Sequence, residues 1–177
     1  MRKAKNYSYL PIVAIAAVIL AVIVLALTFG GKEPKPKPVI KQQKTVSNTI
    51  CGMYRNDVNI SINGRVFKTE QAKSSKEFTT GLGGRACIPE DRAMLFAFSR
   101  PSQYKFWMKD MKFPIDIIWI SSDRKIAGIE TNVQPSSYYS KLPYFINDPK
   151  HPAQFVIEVK ANTSTELNMQ LGNTVTL

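Results

Sequence analysis

The chain has 177 residues and a formal net charge of +11 at pH 7, a balance that often accompanies nucleic-acid binding when the charge covers the folded part. Here the excess is concentrated near the N-terminus. Residues 1–44 carry eight Lys or Arg and one acidic residue, whereas residues 45–177 carry sixteen and twelve. The folded part is therefore only mildly basic, and we predict no nucleic-acid partner.

A run of 20 residues without a charge, Leu10–Phe29, is rich in Ile, Val, Leu and Ala. As a helix it would be about 30 Å long, the thickness of a bilayer core. A cleaved signal peptide is the alternative, but its apolar region is usually only about 7–15 residues long. We therefore predict an uncleaved transmembrane helix, preceded by a basic tail at residues 1–9.

Basic residues lie on both sides of this span, so counting positive charges does not decide its orientation. A span so near the N-terminus usually acts as a signal-anchor, and the C-terminal domain is predicted to be extracytoplasmic. Residues 30–48 alternate Pro with Lys and predict an extended linker. Docking of these lysines on anionic lipids or wall polymers is the alternative to a simple spacer.

A globular domain is predicted over residues 49–177, a length that can bury one core. Alternating apolar residues from Val58 to Ile62, followed by Asn63-Gly64, predict a β-hairpin. A serine cap and Gly83-Gly84 predict a short helix at 74–82. Apolar and turn patterns predict the remaining elements, which are strands at 94–98, 105–109, 115–120, 125–131, 154–160 and 174–177 and a short helix at 162–169.

Short strands separated by turn residues favour antiparallel pairing, so the predicted fold class is α+β with a mainly antiparallel sheet, barrel-like in one alternative, and two short helices. Residues 105–120 hold the densest aromatic and β-branched patch of the domain and are predicted to form a hairpin at its centre. Residues 132–153 contain four prolines and three tyrosines and are predicted to be a long loop.

Asp116 is the most conspicuous polar residue of the central patch. In a strand its side chain shares a face with Ile118, so its carboxylate needs a partner if that face is buried. Glu158 raises the same question in a later strand, where it shares a face with Val156. The cations considered as partners of Asp116 are Lys109, Lys112 and Arg85.

Buried carboxylates beside Lys or Arg can bind a polar ligand or, if desolvation raises the pKa of one of them, act as acid and base. A buried ion pair that only fixes the strand register is the third alternative. No catalytic residue is singled out. The candidate ligand-binding residues are Arg85, Trp107, Lys109, Asp116 and Glu158.

Aromatic, histidine and methionine residues suggest further alternatives. Trp107 and the tyrosines at 138, 139 and 144 can form a stacking platform or anchor local packing. His151 is the only histidine, so a metal site with two imidazoles is excluded within one chain. Methionines suit copper(I) ligation but are also ordinary core fillers, and we predict no cofactor and no metal. The methionines considered are Met53, Met94, Met108 and Met111.

Cys51 and Cys87 are the only cysteines. In an exported domain they favour a disulfide, which would contribute about 3–4 kcal/mol on a chain-entropy argument. Free thiols are the alternative. Neither residue has the C-x-x-C spacing of a redox or zinc site.

Short motifs recur in a fixed order along the domain, and the most specific of them is Phe106–Lys109 followed by Pro114–Asp116. This ordered set resembles one known family, the domain of unknown function 192, and the resemblance covers about residues 55–177. The resemblance implies a small β-rich domain, commonly exported behind a signal peptide or membrane anchor, with no settled biochemical activity. This chain departs from the family at its end, where Asn173 stands in place of a usual Asp.

Three functions fit these features. The favoured one is a membrane-anchored extracytoplasmic binding or accessory module of the cell envelope, which holds a polar ligand or an envelope component. The rival is an envelope hydrolase with Asp116 and Glu158 as an acid–base pair. The third is a purely structural interaction domain. A non-enzymatic role is favoured because the sequence shows no persuasive nucleophile or metal set.

Overall fold

The computed structural model describes residues 51–142 and 144–177, all within one unit of the chain that spans residues 41–177. The predicted basic tail, membrane span and linker lie outside the described residues. Within the described part, no helix has both the length and the apolar character needed to cross a bilayer.

The described residues form nine strands, two short α-helices and one 3-10 helix. The strands are β1 (Val58–Ile62), β2 (Arg65–Gln71), β3 (Arg92–Ser102), β4 (Lys105–Phe106), β5 (Ile115–Ile120), β6 (Ile126–Val133), β7 (Phe145–Ile146), β8 (Ala153–Lys160) and β9 (Val175–Thr176). The helices are α1 (Ser75–Thr80), α2 (Thr163–Glu166) and the 3-10 helix Pro135–Tyr139.

Seven strands form one sheet in the order β6-β5-β8-β3-β2-β1-β9. Neighbouring strands are antiparallel except β2 and β3, which run parallel. A parallel pair requires a crossover, and the segment that contains α1 supplies it. The prediction of a mainly antiparallel α+β domain is thus confirmed, with one parallel pair that strand spacing did not reveal.

The two edges of this sheet meet at one end. A bridge joins Lys125 to Thr174, and the Ile126 N–H donates to the Asn173 carbonyl at 2.9 Å. The sheet is therefore curled into a half-barrel, the form that the barrel-like alternative anticipated. One apolar cluster with members from all seven strands fills the inside of the curl.

The outer face of the sheet carries a second apolar cluster, which α1, β4 and the following loop cover. Strand β5 contributes to both clusters, since all six of its residues are buried. Ile117 and Trp119 point to the outer cluster, and Ile118 and Ile120 to the inner one. A strand buried on both faces has a nearly continuous apolar sequence, which explains why this stretch dominates the pattern.

The predicted hairpin over residues 105–120 is wrong. Of the predicted first strand, residues 105–109, only Lys105–Phe106 is a strand, and it pairs with Phe145–Ile146 in a separate two-stranded sheet. Strand β5 lies between β6 and β8 instead. Phe106 and Met108 are buried, but they cover the outer face and do not extend the ladder. Periodicity reports which side chains are buried and leaves the pairing partner open.

The turns and helix caps predicted from local sequence were more accurate than the predicted strand pairing. The β1–β2 hairpin has Asn63-Gly64 at its turn, and Ser74 caps α1 in a capping box with Glu77. Predicted strand ends shifted by a few residues, with β3 longer than expected at Arg92–Ser102. The predicted long loop at 132–153 contains the end of β6, the 3-10 helix and β7.

The disulfide prediction is confirmed. Cys51 and Cys87 are bonded, with their Cα atoms 4.9 Å apart. The bond ties the start of the described chain to the loop after α1, where the Tyr54 hydroxyl also donates to the Cys87 carbonyl. This loop forms part of the wall of the cleft described below.

Candidate functional site

Asp116 is fully buried and accepts four hydrogen bonds. Its Oδ1 accepts from the backbone N–H groups of Asn132, at 2.8 Å, and Asn162, at 2.9 Å. Its Oδ2 accepts from the Ser164 N–H at 2.8 Å and from the Ser164 hydroxyl at 2.6 Å. The carboxylate therefore joins β5, the end of β6 and the start of α2, which is the geometry of a structural anchor.

The expected pairing of Asp116 with Lys109, Lys112 or Arg85 is wrong. Arg85 pairs instead with buried Glu70, with Nη2 2.7 Å from Oε2, and its guanidinium lies 4.4 Å from the centre of the Tyr54 ring. The sequence did not reveal the actual donors because most are backbone N–H groups. Asn132 and Asn162 present theirs from left-handed conformations, at φ 50° and φ 69°.

Asp116 and Glu158 lie on opposite faces of the sheet. In the β5–β8 register Asp116 stands opposite Val159, and Ile117 stands opposite Glu158. Directly opposite residues share a face, and successive residues alternate. The two carboxylates therefore cannot flank one scissile bond. The prediction that Asp116 and Glu158 form the acid–base pair of a hydrolase is wrong for this register.

A cleft of about 260 Å³ opens on the outer face, between α1 and the segment from residue 104 to residue 111. Three of the five predicted site residues line it, namely Trp107, Lys109 and Glu158, whereas Arg85 and Asp116 do not. Six of its fourteen lining residues are aromatic, Trp107 among them. The other aromatic lining residues are Phe78, Phe96, Phe98, Tyr104 and Phe106.

Glu158 is the buried polar group of this cleft, with a residue exposure of 5%. It lies on β8 opposite Met94 of β3, near the middle of the sheet. Its Oε2 has no hydrogen-bond partner among the described residues. A buried polar atom left without a partner is rare and costly, so this oxygen is the natural contact for a ligand or a water molecule.

The approach to Glu158 depends on Gly81, the residue that ends α1. A Cβ at this position would lie 3.3 Å from Glu158 Oε2 and 3.3 Å from a Phe96 ring carbon. The φ of Gly81 is also 51°, in the left-handed region where side chains are unfavourable. Glycine here keeps both the helix end and the space beside the carboxyl group.

Burial raises the pKa of Glu158 to about 8. The backbone N–H of Leu82 and the charge of Arg85 act in the opposite direction and do not overcome desolvation. At neutral pH the group is therefore mainly a neutral carboxylic acid, which can donate a hydrogen bond as well as accept one.

Hydrogen bonds with two buried side chains hold the backbone of Tyr104, which belongs to the wall of the cleft. The Trp119 Nε1–H donates to the Tyr104 carbonyl at 3.2 Å, and buried Asn147 accepts from the Tyr104 N–H through Oδ1, also at 3.2 Å. The Tyr104 ring stacks on Phe98 with ring centres 3.5 Å apart. Two side chains that did not stand out in the sequence, Asn147 and Phe98, thus position the aromatic wall.

Two exposed lysines line the cleft, and Tyr144 contacts two of its lining residues. Lys105 and Lys109 are exposed, and Lys105 Nζ lies 5.6 Å from the centre of the Tyr144 ring. Tyr144 also meets Trp107 edge to face, with ring centres 5.9 Å apart. Of the predicted stacking platform, Tyr144 therefore adjoins Trp107, while Tyr138 and Tyr139 form a pair of their own.

The remaining candidates lie elsewhere. His151 is exposed and lies 3.7 Å from Asp148, and neither residue lines the cleft. Met94 and Met108 are buried in the outer cluster, where core packing explains them. The described residues contain no group of three or more His, Cys, Asp or Glu able to hold a metal ion.

The chain was compared with known sequences and structures. The sequence model of the family DUF192, described as "Uncharacterized ACR", matches residues 58–177. A solved protein of unknown function from Novosphingobium aromaticivorans is 27% identical, with a TM-score of 0.61, covering 68% of this chain and 84% of that one. A solved protein from Sinorhizobium meliloti, described as a candidate transcription regulator, is 27% identical with a TM-score of 0.57, covering 71% and 97%. The search of curated proteins found no match.

Proposed function

This chain belongs to the DUF192 family, and we propose that its domain is a ligand-binding module that holds a small molecule in the cleft above Glu158. One observation carries the proposal. Oε2 of Glu158 is buried without a hydrogen-bond partner among the described residues, beside a cleft with aromatic walls. Small-molecule sites combine an apolar wall with a few well-placed polar groups, and this cleft has that composition.

The same proposal places the module at the cell envelope, anchored by Leu10–Phe29 with the domain on the extracytoplasmic side. The uncharged length of that segment supports an anchor. The Cys51–Cys87 disulfide supports the extracytoplasmic side, because disulfides persist in oxidising compartments and are rare in the cytosol.

Protease treatment of cells tests this placement. Protease added to protoplasts or spheroplasts, whose inner membrane is intact and directly accessible, is expected to digest the domain, and alkaline washing of membranes is expected to leave the full chain in the pellet. Digestion after that membrane has been opened serves as the control for susceptibility. A domain that survives in intact protoplasts or spheroplasts and is digested only in opened ones would lie on the cytoplasmic side and contradict the proposal.

A fragment screen on the full chain in detergent tests ligand binding. Small aromatic compounds with an acceptor oxygen are expected to bind, and Glu158→Leu is expected to weaken them roughly five- to a hundredfold because their oxygen is left buried without a donor. Glu158→Gln should retain binding to within about threefold, since its amide still donates.

The exposed residue His151 provides the matched control, since it does not line the cleft. His151→Ala is expected to leave fragment binding unchanged. Absence of binding to the wild-type chain, or equal binding by wild type and Glu158→Leu, would count decisively against Glu158 as the ligand contact.

A further inference from the structure

The charged groups that line the cleft are unbalanced. Among the described lining residues, Lys105 and Lys109 are basic, and Glu158 is the single carboxyl group. Arg85 also acts on Glu158 without lining the cleft, but its charge is balanced by its ion pair with Glu70, so the excess positive charge comes from the two lysines. The site thus has two exposed positive charges and a buried carboxyl group, and a ligand that carries negative charge fits this field.

The size of the cleft limits the ligand. A dry apolar cavity of about 150 Å³ binds benzene, so about 260 Å³ holds a ring with one or two small substituents, about ten non-hydrogen atoms. The aromatic wall, which includes Phe96, Phe98 and Phe106, offers flat apolar surface to such a ring.

The charged lining residues differ in burial. Glu158 is buried, whereas Lys105 and Lys109 are exposed. We infer that the cleft binds a small organic acid, with its oxyanion at the two lysines, a planar apolar body against the aromatic wall and an acceptor oxygen at Glu158. This inference rests on the proposed function, because it names the ligand class of the same cleft.

An organic cation is the competing ligand chemistry. Aromatic faces and a carboxyl group also recognise ammonium groups. Here the cation would have to approach Lys105 and Lys109, the two basic residues that line the cleft. The positive charges of the two lysines disfavour a cationic ligand. The experiment therefore includes a cationic probe.

Three matched probes separate these chemistries. 4-Hydroxybenzoate, 4-hydroxybenzamide and 4-hydroxybenzylammonium share a ring and a hydroxyl group and differ in the charge at the other end. Their affinities for the full chain in non-ionic detergent can be measured by calorimetry at neutral pH and low salt. Two exposed ion pairs predict that the acid binds roughly three- to thirtyfold more tightly than the amide, and the ammonium most weakly. About 1 M salt should largely remove the preference.

The double variant Lys105→Gln/Lys109→Gln is expected to lower the affinity for the acid to near that for the amide. Lys68→Gln/Lys150→Gln removes the same net charge from exposed positions outside the cleft and should leave the preference intact. Equal binding of acid and amide, or tightest binding of the ammonium, would overturn the inference and leave the proposed function standing.

The fragment screen distinguishes the remaining outcomes. If screened fragments bind in the cleft and none of the three probes does, the ligand class is wrong and the binding function stands. If neither the fragments nor the probes bind, both the ligand class and the binding function fail.

Discussion

Replacing Asp116 with asparagine is expected to lower the free energy of unfolding by about 3–5 kcal/mol, because the buried carboxylate accepts four hydrogen bonds that one amide cannot accept. The better orientation of the amide would direct its NH₂ group toward Ser164, whose hydroxyl can rotate to accept. The Ser164 N–H then faces a donor, and a charged acceptor is lost at all four contacts. Chemical denaturation of the disulfide-bonded chain, followed by tryptophan fluorescence, measures the change.

Two control variants separate the anchor from a general effect of losing a carboxylate. Asp110→Asn removes an exposed carboxylate at a left-handed position, φ 57°, which asparagine tolerates, so its effect should stay within about 0.5 kcal/mol. Ser164→Ala removes one of the four donors and should cost about 1.5–3 kcal/mol, because the acceptor is a charged carboxylate. Equal stability of Asp116→Asn and Asp110→Asn would show that the buried carboxylate does not anchor the fold.

Replacing Glu158 with glutamine is expected to change how stability depends on pH. The pKa of Glu158 is about 8 in the folded protein and 4.5 in the absence of burial, so between these values the folded state retains a proton that the unfolded state has released. Wild-type stability therefore falls by about 1.4 kcal/mol per pH unit over this window. The stability that comes from the retained proton of Glu158 is fully present below pH 4.5 and is lost as the pH rises through 8.

Glutamine is neutral at every pH in this range, so the variant does not lose this stability as the pH rises. It should match the wild type within about 1 kcal/mol near pH 4.5 and exceed its stability by roughly 3–5 kcal/mol near pH 9. Denaturation curves across this range, with exposed Glu166→Gln as control, test the difference. Parallel pH profiles for wild type and Glu158→Gln would contradict a neutral buried carboxyl group.

Two other carboxylates, Asp57 and Glu77, titrate well below this window. The hydrogen bond from Lys73 lowers the pKa of Asp57 to about 2, and the backbone N–H of Lys73, with Arg55, lowers that of Glu77 to about 2. Their contributions are present above the ordinary carboxyl range and are lost as the pH falls toward 2. A difference between wild type and Glu158→Gln above pH 5 therefore belongs to Glu158.

Several features of the domain followed from the sequence. Asn63-Gly64 predicted the first hairpin, Ser74 predicted the start of α1, and the two cysteines predicted the disulfide. The motifs from Phe106 to Asp116 pointed to the family. All of these depend on local conformation, on residue chemistry or on short motifs, which a linear sequence displays directly.

Only the tertiary structure decided which predicted site residues meet. Asp116 accepts a hydrogen bond from Ser164, which is 48 residues away in the sequence. Glu158 lines a cleft whose wall comes from α1 and the segment after β3. Alternation identified both carboxylates as candidates for burial and could not show that they point to opposite faces. That outcome depends on the order and register of strands far apart in the chain, and strand pairing is set by the packing of the whole sheet.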